Sequence, residues 1–239
     1  MAKERVTVCL APCEPVDLQE AIGAAMAPYF YYPEERPDPD WVGEWDYWYV
    51  SGAGCEFAVR AGCEGDPRIV REEGPEAVDR PPLPPDRCHG GPRGLLDFET
   101  DRAEVAEEAS RAWSEWQEFA DGCPVSLAQG HFLQRTYDDP VGYPQKRALD
   151  DFSHQPVIRA LHARPELEER FSGDPVGRFG QRRELYVEAR VAHVLPTTAL
   201  LTLDGRWTEA ATHEHRRWAS TYLDALPADT MVVRVLYHS

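Results

Sequence analysis

Two features are missing from this sequence: a run of eighteen apolar residues, and a signal-peptide core after the first residues. A helix that crosses a bilayer needs about 20 mainly apolar residues, so no membrane span is predicted. Basic residues are also scarce, with 25 lysines and arginines against 42 acidic residues and a net charge of −17. Nucleic-acid binding requires basic side chains that neutralise phosphates, so this balance argues against non-specific binding of DNA or RNA. We expect a cytoplasmic protein without a membrane partner.

The sequence also lacks the motifs that usually carry catalysis or metal binding. It has no Gly-x-Ser-x-Gly elbow and no Gly-x-x-x-x-Gly-Lys-Ser/Thr phosphate loop. Six cysteines are present, but the spacing of Cys55, Cys63 and Cys88 matches no zinc ribbon or knuckle. Without an export signal, reduced thiols are favoured over disulfides. We therefore predict no metal and no cofactor.

Periodicity predicts the fold class. Alternating apolar residues indicate strands over 5–10, 45–50, 56–60, 197–203 and 230–238, and helical spacing indicates helices over 16–27, 101–121, 182–195 and 209–226. The order β-α-β-β, then helices, then β-α-β favours one α+β domain. We expect an antiparallel, ferredoxin-like sheet of the split βαβ kind, with helices covering one face and a helical insertion. The sheet halves are 1–60 and 196–239, a Pro/Gly-rich strap without regular structure spans 61–97, and the helical insertion spans 98–195.

The most distinctive segment is the aromatic strand at 45–50. Read at period two, Trp45 lies on one face with two tyrosines, and Asp46 and Trp48 share the other. A glycine-rich reversal follows, so this strand and 56–60 are predicted to pair as a hairpin that brings Arg60 to the face of Asp46. A carboxylate, an indole and a guanidinium would form a recognition surface. The alternative is that Trp48 packs in the core and Asp46 pairs with Arg60 structurally.

Three further polar residues are candidates for binding. His89 and Arg93 belong to the glycine-rich loop of the strap, whose amides and guanidinium groups could hold an anion or simply form a turn held by ion pairs. His215 is predicted on the core side of the 209–226 helix, as a core histidine or a site residue. It cannot share a metal with His213, because residues two apart on a helix point about 200° apart.

These residues leave several functions open. The leading hypothesis is a binding protein that recognises a small molecule or a protein partner through the aromatic hairpin and the strap. A rival is a small hydrolase or nucleotide-acting enzyme that uses Asp46, His89, Arg93 or His215. A third is an acidic inhibitor that mimics nucleic acid, since the negative charge is concentrated in 30–46 and 97–121. The oligomeric state is open.

Three short patches carry a resemblance to a family. They are Trp45-Asp46-x-Trp48-x-x-x-Gly52-x-Gly54, Leu203-Asp204-Gly205-x-Trp207, and a valine-rich last strand that ends at His238. In these patches the chain resembles a loose group of uncharacterised actinobacterial and actinophage proteins, although Ala53 separates the two glycines here. The resemblance implies a common fold and a bacterial or phage origin, and it implies no particular activity.

Overall fold

A computed structural model describes residues 3–31, 43–71, 82–209 and 212–238. Residues 32–40 of a Tyr-, Pro- and acid-rich loop predicted over 29–40, and residues 72–81 of the predicted strap, lie outside the described residues. The strands are β1 (Lys3–Leu10), β2 (Tyr47–Val50), β3 (Phe57–Ala58), β4 (Arg87–Cys88), β5 (Gly90–Pro92), β6 (Ala199–Leu201), β7 (Trp207–Glu209) and β8 (Met231–His238). The helices are α1 (Leu18–Met26), α2 (Phe98–Ala120), α3 (Gln129–Asp138), α4 (Gln145–Ser153), α5 (Pro156–His162), α6 (Pro165–Arg170), α7 (Pro175–Phe179), α8 (Arg183–Val191) and α9 (His213–Ala225).

The chain divides into two compact units, and the first contains the main sheet. This sheet unit consists of Met1–Glu104 with Ala192–Ser239, and the helical unit is Val105–Val191. The helical unit falls inside the predicted insertion over 98–195. Among the described residues, no helix is long and apolar enough to cross a membrane.

The main sheet has the strand order β2-β8-β1-β6-β7, and β5 pairs with β8 on the same edge as β2. The α+β class is confirmed. The prediction of a purely antiparallel, ferredoxin-like sheet is wrong, because β1 and β6 run parallel, with Val6 opposite Ala199. The cause is β7, a short strand that follows the turn at Gly205 and reverses the chain before α9. The sequence pattern showed only a turn and a helix there.

Both faces of the sheet are covered, which corrects the prediction that helices lie on one face. Val6 and Val8 of β1 pack in a core cluster with Ile22 and Met26 of α1. Cys9 of β1 belongs to the opposite cluster, which includes buried residues of α9, β3 and β4. Successive side chains of a strand point to opposite faces, so the sheet separates two cores. This double burial explains why β8 is almost continuously apolar.

The predicted hairpin between 45–50 and 56–60 does not form. Strand β2 pairs antiparallel with β8, Tyr47 opposite His238, whereas β3 pairs with β4 in a separate two-stranded sheet. Between them the chain turns through Ala53 at φ 45° and Gly54 at φ 87°. This left-handed turn takes β3 away from β2, and Phe57 is fully buried in the core on the α9 side. Burial of Phe57 outweighs the local hairpin pattern.

The strap is also more regular than predicted, because β4 and β5 lie within it. Gly90 of β5 approaches β8 so closely that a Cβ there would lie 2.5 Å from the carbonyl oxygen of Val232. Only glycine permits this approach without displacing β8. The glycine-rich loop is therefore part of the sheet edge.

The helical unit has its own core. Trp116 of α2 is buried, stacks on Phe179 at a centroid distance of 5.8 Å, and meets Phe171 edge-on at 5.4 Å. The surrounding cluster includes buried residues of α3, α4, α5 and α8. Aromatic packing of this kind accounts for the apolar stripe of α2.

The six cysteines are all free, and burial divides them into two groups. Cys9 and Cys88 are buried, and desolvation raises the pKa of each thiol to about 12. Because the thiolate is the nucleophile, we expect iodoacetamide at mildly alkaline pH to leave both unmodified in the native protein. The partly exposed cysteines, Cys13, Cys55, Cys63 and Cys123, should react first.

Peptide mass mapping before and after unfolding in urea measures this protection. All six thiols should react in urea. Native modification of Cys9 as fast as Cys63 would contradict the placement of β1 at the centre of the sheet.

Candidate functional site

The aromatic strand supplies core packing. Trp48 and Trp45 both pack against the cluster formed with α1, and the indole N–H of Trp45 donates to the carbonyl oxygen of Met26 at 2.9 Å. The prediction that Trp45 shares a strand face with Tyr47 and Tyr49 is therefore wrong. Strand β2 begins only at Tyr47, and Trp45 makes an isolated bridge with Phe30, so the period-two pattern does not extend back to it.

Asp46 and Arg60 are not partners. Asp46 accepts a hydrogen bond from Nδ1 of His238 at 2.7 Å, across the β2–β8 pair. Arg60 is exposed and follows β3, which does not pair with β2. The prediction that Asp46 and Arg60 lie side by side across a hairpin is thus wrong. The Asp46–His238 contact instead joins the start of β2 to the end of β8.

The other three candidates lie at separate places in the sheet unit. His89 is fully buried, and its Nδ1 accepts the backbone N–H of Gly52 at 2.9 Å. Arg93 donates to the carbonyl oxygen of Leu223 at 3.0 Å, and its guanidinium lies 4.0 Å from the ring of Phe98. These contacts hold loops in position. No contact among the described residues joins either side chain to Asp46.

His215 is only half-buried, on the α9 face beside Trp218, whose ring centroid is 5.0 Å away. The buried residues of α9 are Ala219 and Leu223, which follow His215 by four and eight positions and therefore lie on its side of the helix. His215 thus lies at the edge of the buried side of α9.

A polar cavity of about 340 Å³ lies elsewhere in the sheet unit. It is bounded by the first half of β1, the segment before β6, the end of β7 and the first turn of α9. Its lining residues are Arg5, Cys55, His193, Pro196, Thr197, Thr198, Glu209 and Arg216. We call this space the arginine cavity. None of the seven residues predicted from the sequence lines it.

Two arginines of the cavity contact neutral partners. Nη1 of Arg5 donates to the carbonyl oxygen of Ala53 at 3.0 Å and to the sulfur of Cys55 at 2.9 Å. Nη1 of Arg216 lies 2.6 Å from Nε2 of His193. Arginine has donors only, so Nε2 of His193 is the acceptor in this contact. Neither arginine forms an ion pair with a carboxylate of the described residues.

A third arginine, Arg234 of β8, lies behind the cavity wall. It is 1% exposed, and burial lowers its pKa to about 10, so it stays charged at neutral pH. It donates to the hydroxyl of Thr7 at 2.5 Å and to the carbonyl oxygens of Leu195 at 2.6 Å and Cys55 at 3.2 Å. The hydroxyl of Thr7 lies 2.8 Å from that of Thr197, which lines the cavity. Arg234 thereby fixes several parts of the wall.

The electrostatics of the cavity oppose those of the whole chain. Arg5 and Arg216 line it and Arg234 lies behind it, whereas Glu209 is the one acidic side chain in its lining. In a chain of net charge −17, this local excess of positive charge is a departure from the average. A sequence signal did exist for Arg234, because it interrupts the valine-rich strand β8 at a buried position. Charges at such positions are rare unless they have a structural or binding role.

The fold and the cavity define an α+β protein with a cationic pocket at the amino ends of two parallel strands. Comparison of the chain with protein-family models, with curated proteins and with solved structures gives no significant match.

The packing of Trp48 leads to a stability prediction. Trp48→Ala should lower the free energy of unfolding by about 3 kcal/mol, because it removes a ring that packs on α1. The neighbouring Tyr47 is 42% exposed, so Tyr47→Ala should change stability by less than about 0.5 kcal/mol. Urea denaturation measures both. Equal losses in the two variants would contradict the assignment of Trp48 to the core.

Arg234 gives a second prediction. Arg234→Met keeps much of the side-chain volume but leaves the carbonyl oxygens of Leu195 and Cys55 without their donor. We expect a loss of at least about 3 kcal/mol, since each buried unsatisfied group costs about 1–3 kcal/mol. The exposed Arg217→Met is the matched control and should lie within about 0.5 kcal/mol of wild type. A stable Arg234→Met protein would show that these hydrogen bonds add no net stability.

Proposed function

We propose that this protein binds a small anionic ligand, bearing a phosphate or a carboxylate, in the arginine cavity. The observation that carries the proposal is the convergence of Arg5 and Arg216, neither paired with a carboxylate of the described residues, on one space of about 340 Å³. Guanidinium groups form short, charge-assisted hydrogen bonds to these anions. Ligand pockets commonly span about 300–1,000 Å³, so this volume suits a metabolite-sized compound.

The aromatic-hairpin hypothesis is weakened, because the partly buried rings of Trp45 and Trp48 pack against the core and the hairpin does not form. The anion-loop hypothesis for His89 and Arg93 is weakened for a similar reason, since both side chains hold backbone groups. The proposal keeps a small-molecule partner and changes the place at which it binds.

An enzymatic role is the second candidate, and one observation favours it. Cys55 and His193 line the same cavity, and these are residue types that serve as nucleophile and general base. Cys55→Ser separates the two functions. It should abolish turnover of an activated ester or phosphoester if the protein is an enzyme, and it should leave anion binding unchanged in either case.

We also propose a cytoplasmic location, and we propose that the actinobacterial and phage proteins resembled by the chain share its fold. The residues of that resemblance are packing residues here: Trp207 meets the ring of Tyr237 at 5.4 Å, and Trp45 and Trp48 pack on α1. The unit β1-α1-β2, whose strands flank β8, is the part that we relate to the split βαβ plan. These features support a common architecture.

Calorimetric titration of the full chain with inorganic phosphate, AMP and citrate tests the proposed function. At least one of these anions should bind, and Arg216→Gln should weaken its affinity about tenfold by removing a charge-assisted donor. The matched control is Arg217→Gln, which makes the same charge change on the same helix outside the cavity. Its affinity should equal that of wild type.

Two results would contradict the proposed function. One is the absence of binding for all three anions, together with no retained small molecule in native mass spectrometry. The other is an equal loss of affinity in Arg216→Gln and Arg217→Gln, which would indicate a general effect of surface charge.

A further inference from the structure

The helical unit contains a second cationic cavity, with a volume of about 260 Å³. Helices α2 and α8 form two of its walls, and α6 and α7 contribute the others. Its lining residues are Val105, Glu108, Ala109, Ala112, Arg170, Arg178, Phe179, Tyr186 and Arg190. Three arginines and one glutamate therefore surround a space whose other residues are apolar or aromatic.

The three arginines differ in what they contact. Arg170 pairs with Glu115 at 2.6 Å and with Glu108 at 3.2 Å, so its charge is neutralised. Arg178 donates to the carbonyl oxygen of Ser172 at 2.6 Å, which leaves its charge uncompensated. Arg190 makes no hydrogen bond or ion pair with the described residues. Two guanidinium charges at this cavity thus lack an acidic partner within the part of the chain that the structure describes.

The floor of the cavity is apolar. Ala109 and Ala112 of α2 present small side chains, and the rings of Phe179 and Tyr186 lie 4.9 Å apart. Phe179 and Tyr186 are 2% and 6% exposed, so their positions are fixed by the core of the helical unit. The volume is roughly nine times the ~30 Å³ that one water occupies in the liquid. This is room for a single aromatic ring with a short substituent.

We propose that this cavity is a binding site for a single-ring aromatic acid. The ring would lie on the floor formed by Ala112, Phe179 and Tyr186, where aromatic packing and burial favour it. The acid group would take hydrogen bonds from Arg190 and Arg178 at the rim. The site is separate from the arginine cavity, and the inference does not depend on the proposed function.

Charge complementarity selects this ligand class over a neutral one. An uncharged ring would leave the exposed guanidinium groups of Arg178 and Arg190 at the rim without an anionic partner. A simple inorganic anion would leave the apolar floor in contact with water. A compound with both a ring and an acid group can contact the apolar floor and the two arginines at once.

Ligand-observed saturation-transfer NMR on the full chain tests the proposal, with phenylacetate as the probe and phenylacetamide as its neutral counterpart. Phenylacetate should bind, and phenylacetamide should bind about tenfold more weakly because it lacks the charge-assisted contacts. Arg190→Gln should weaken phenylacetate binding about tenfold, and its thermal stability should match wild type because no contact is lost. Arg183→Gln, at the start of the same helix and outside the cavity, should bind like wild type.

A second variant tests the floor. Ala112→Leu keeps good helix propensity and fills the space above Phe179, so it should abolish binding of both probes while circular dichroism remains unchanged. Arg216→Gln, in the arginine cavity, should leave phenylacetate binding unaffected.

Several results would overturn the inference. These are equal affinities for the two probes, equal losses in Arg190→Gln and Arg183→Gln, unchanged binding in folded Ala112→Leu, or the absence of saturation transfer. A loss of binding in Arg216→Gln alone would assign phenylacetate to the arginine cavity and would also overturn it.

Discussion

The buried guanidinium of Arg234 is the interaction on which the sheet unit depends. Arg234 lies in β8, the strand that pairs with β1 on one side and with β2 and β5 on the other. Its donors reach Thr7 in β1 and the carbonyl oxygens of Leu195 and Cys55, in the segments before β6 and after β2. The guanidinium carbon, Cζ, lies 4.1 Å from the centroid of the Phe57 ring. A charge at this depth is tolerated only when such acceptors are held in place, so one residue fixes three distant segments.

This arrangement links the stability of the sheet to the shape of the arginine cavity. Cys55 and Thr197 line the cavity, and both are positioned through Arg234, the first by its carbonyl oxygen and the second through Thr7. The wall is therefore set before any ligand arrives, which lowers the entropic cost of binding. The buried positive charge also adds to the potential produced by Arg5 and Arg216. In an acidic chain, a cavity of this sign attracts anions that the remaining surface repels.

Part of the fold could be predicted from local patterns. Periodicity located α1, α2, α9, β1 and β8, because each buries a continuous stripe or strand face. The partners of strands could not be predicted in the same way. The alternation in 45–50 is compatible with a hairpin to 56–60 and with pairing to β8, and only burial against the valine-rich β8 decides between them. The parallel pairing of β6 depends on β7, whose three residues are too short for a periodic signal.

The sequence prediction placed the site on the aromatic strand, and the rings of that strand pack against α1. That helix buries Leu18, Ile22 and Met26 in the core, and Ala21 and Ala25 pack beside them. It also carries Gly23, where a Cβ would lie 3.8 Å from the ring of Trp48. Small side chains on a helix leave a gap that large rings from the facing strand must fill. The ring of Trp48 thus packs where α1 carries a glycine. An arginine inside an apolar strand has no such packing explanation, because a guanidinium gains little from burial and costs much to desolvate. In this chain the buried charge of Arg234 therefore supports the proposed anion site, and the concentration of rings does not.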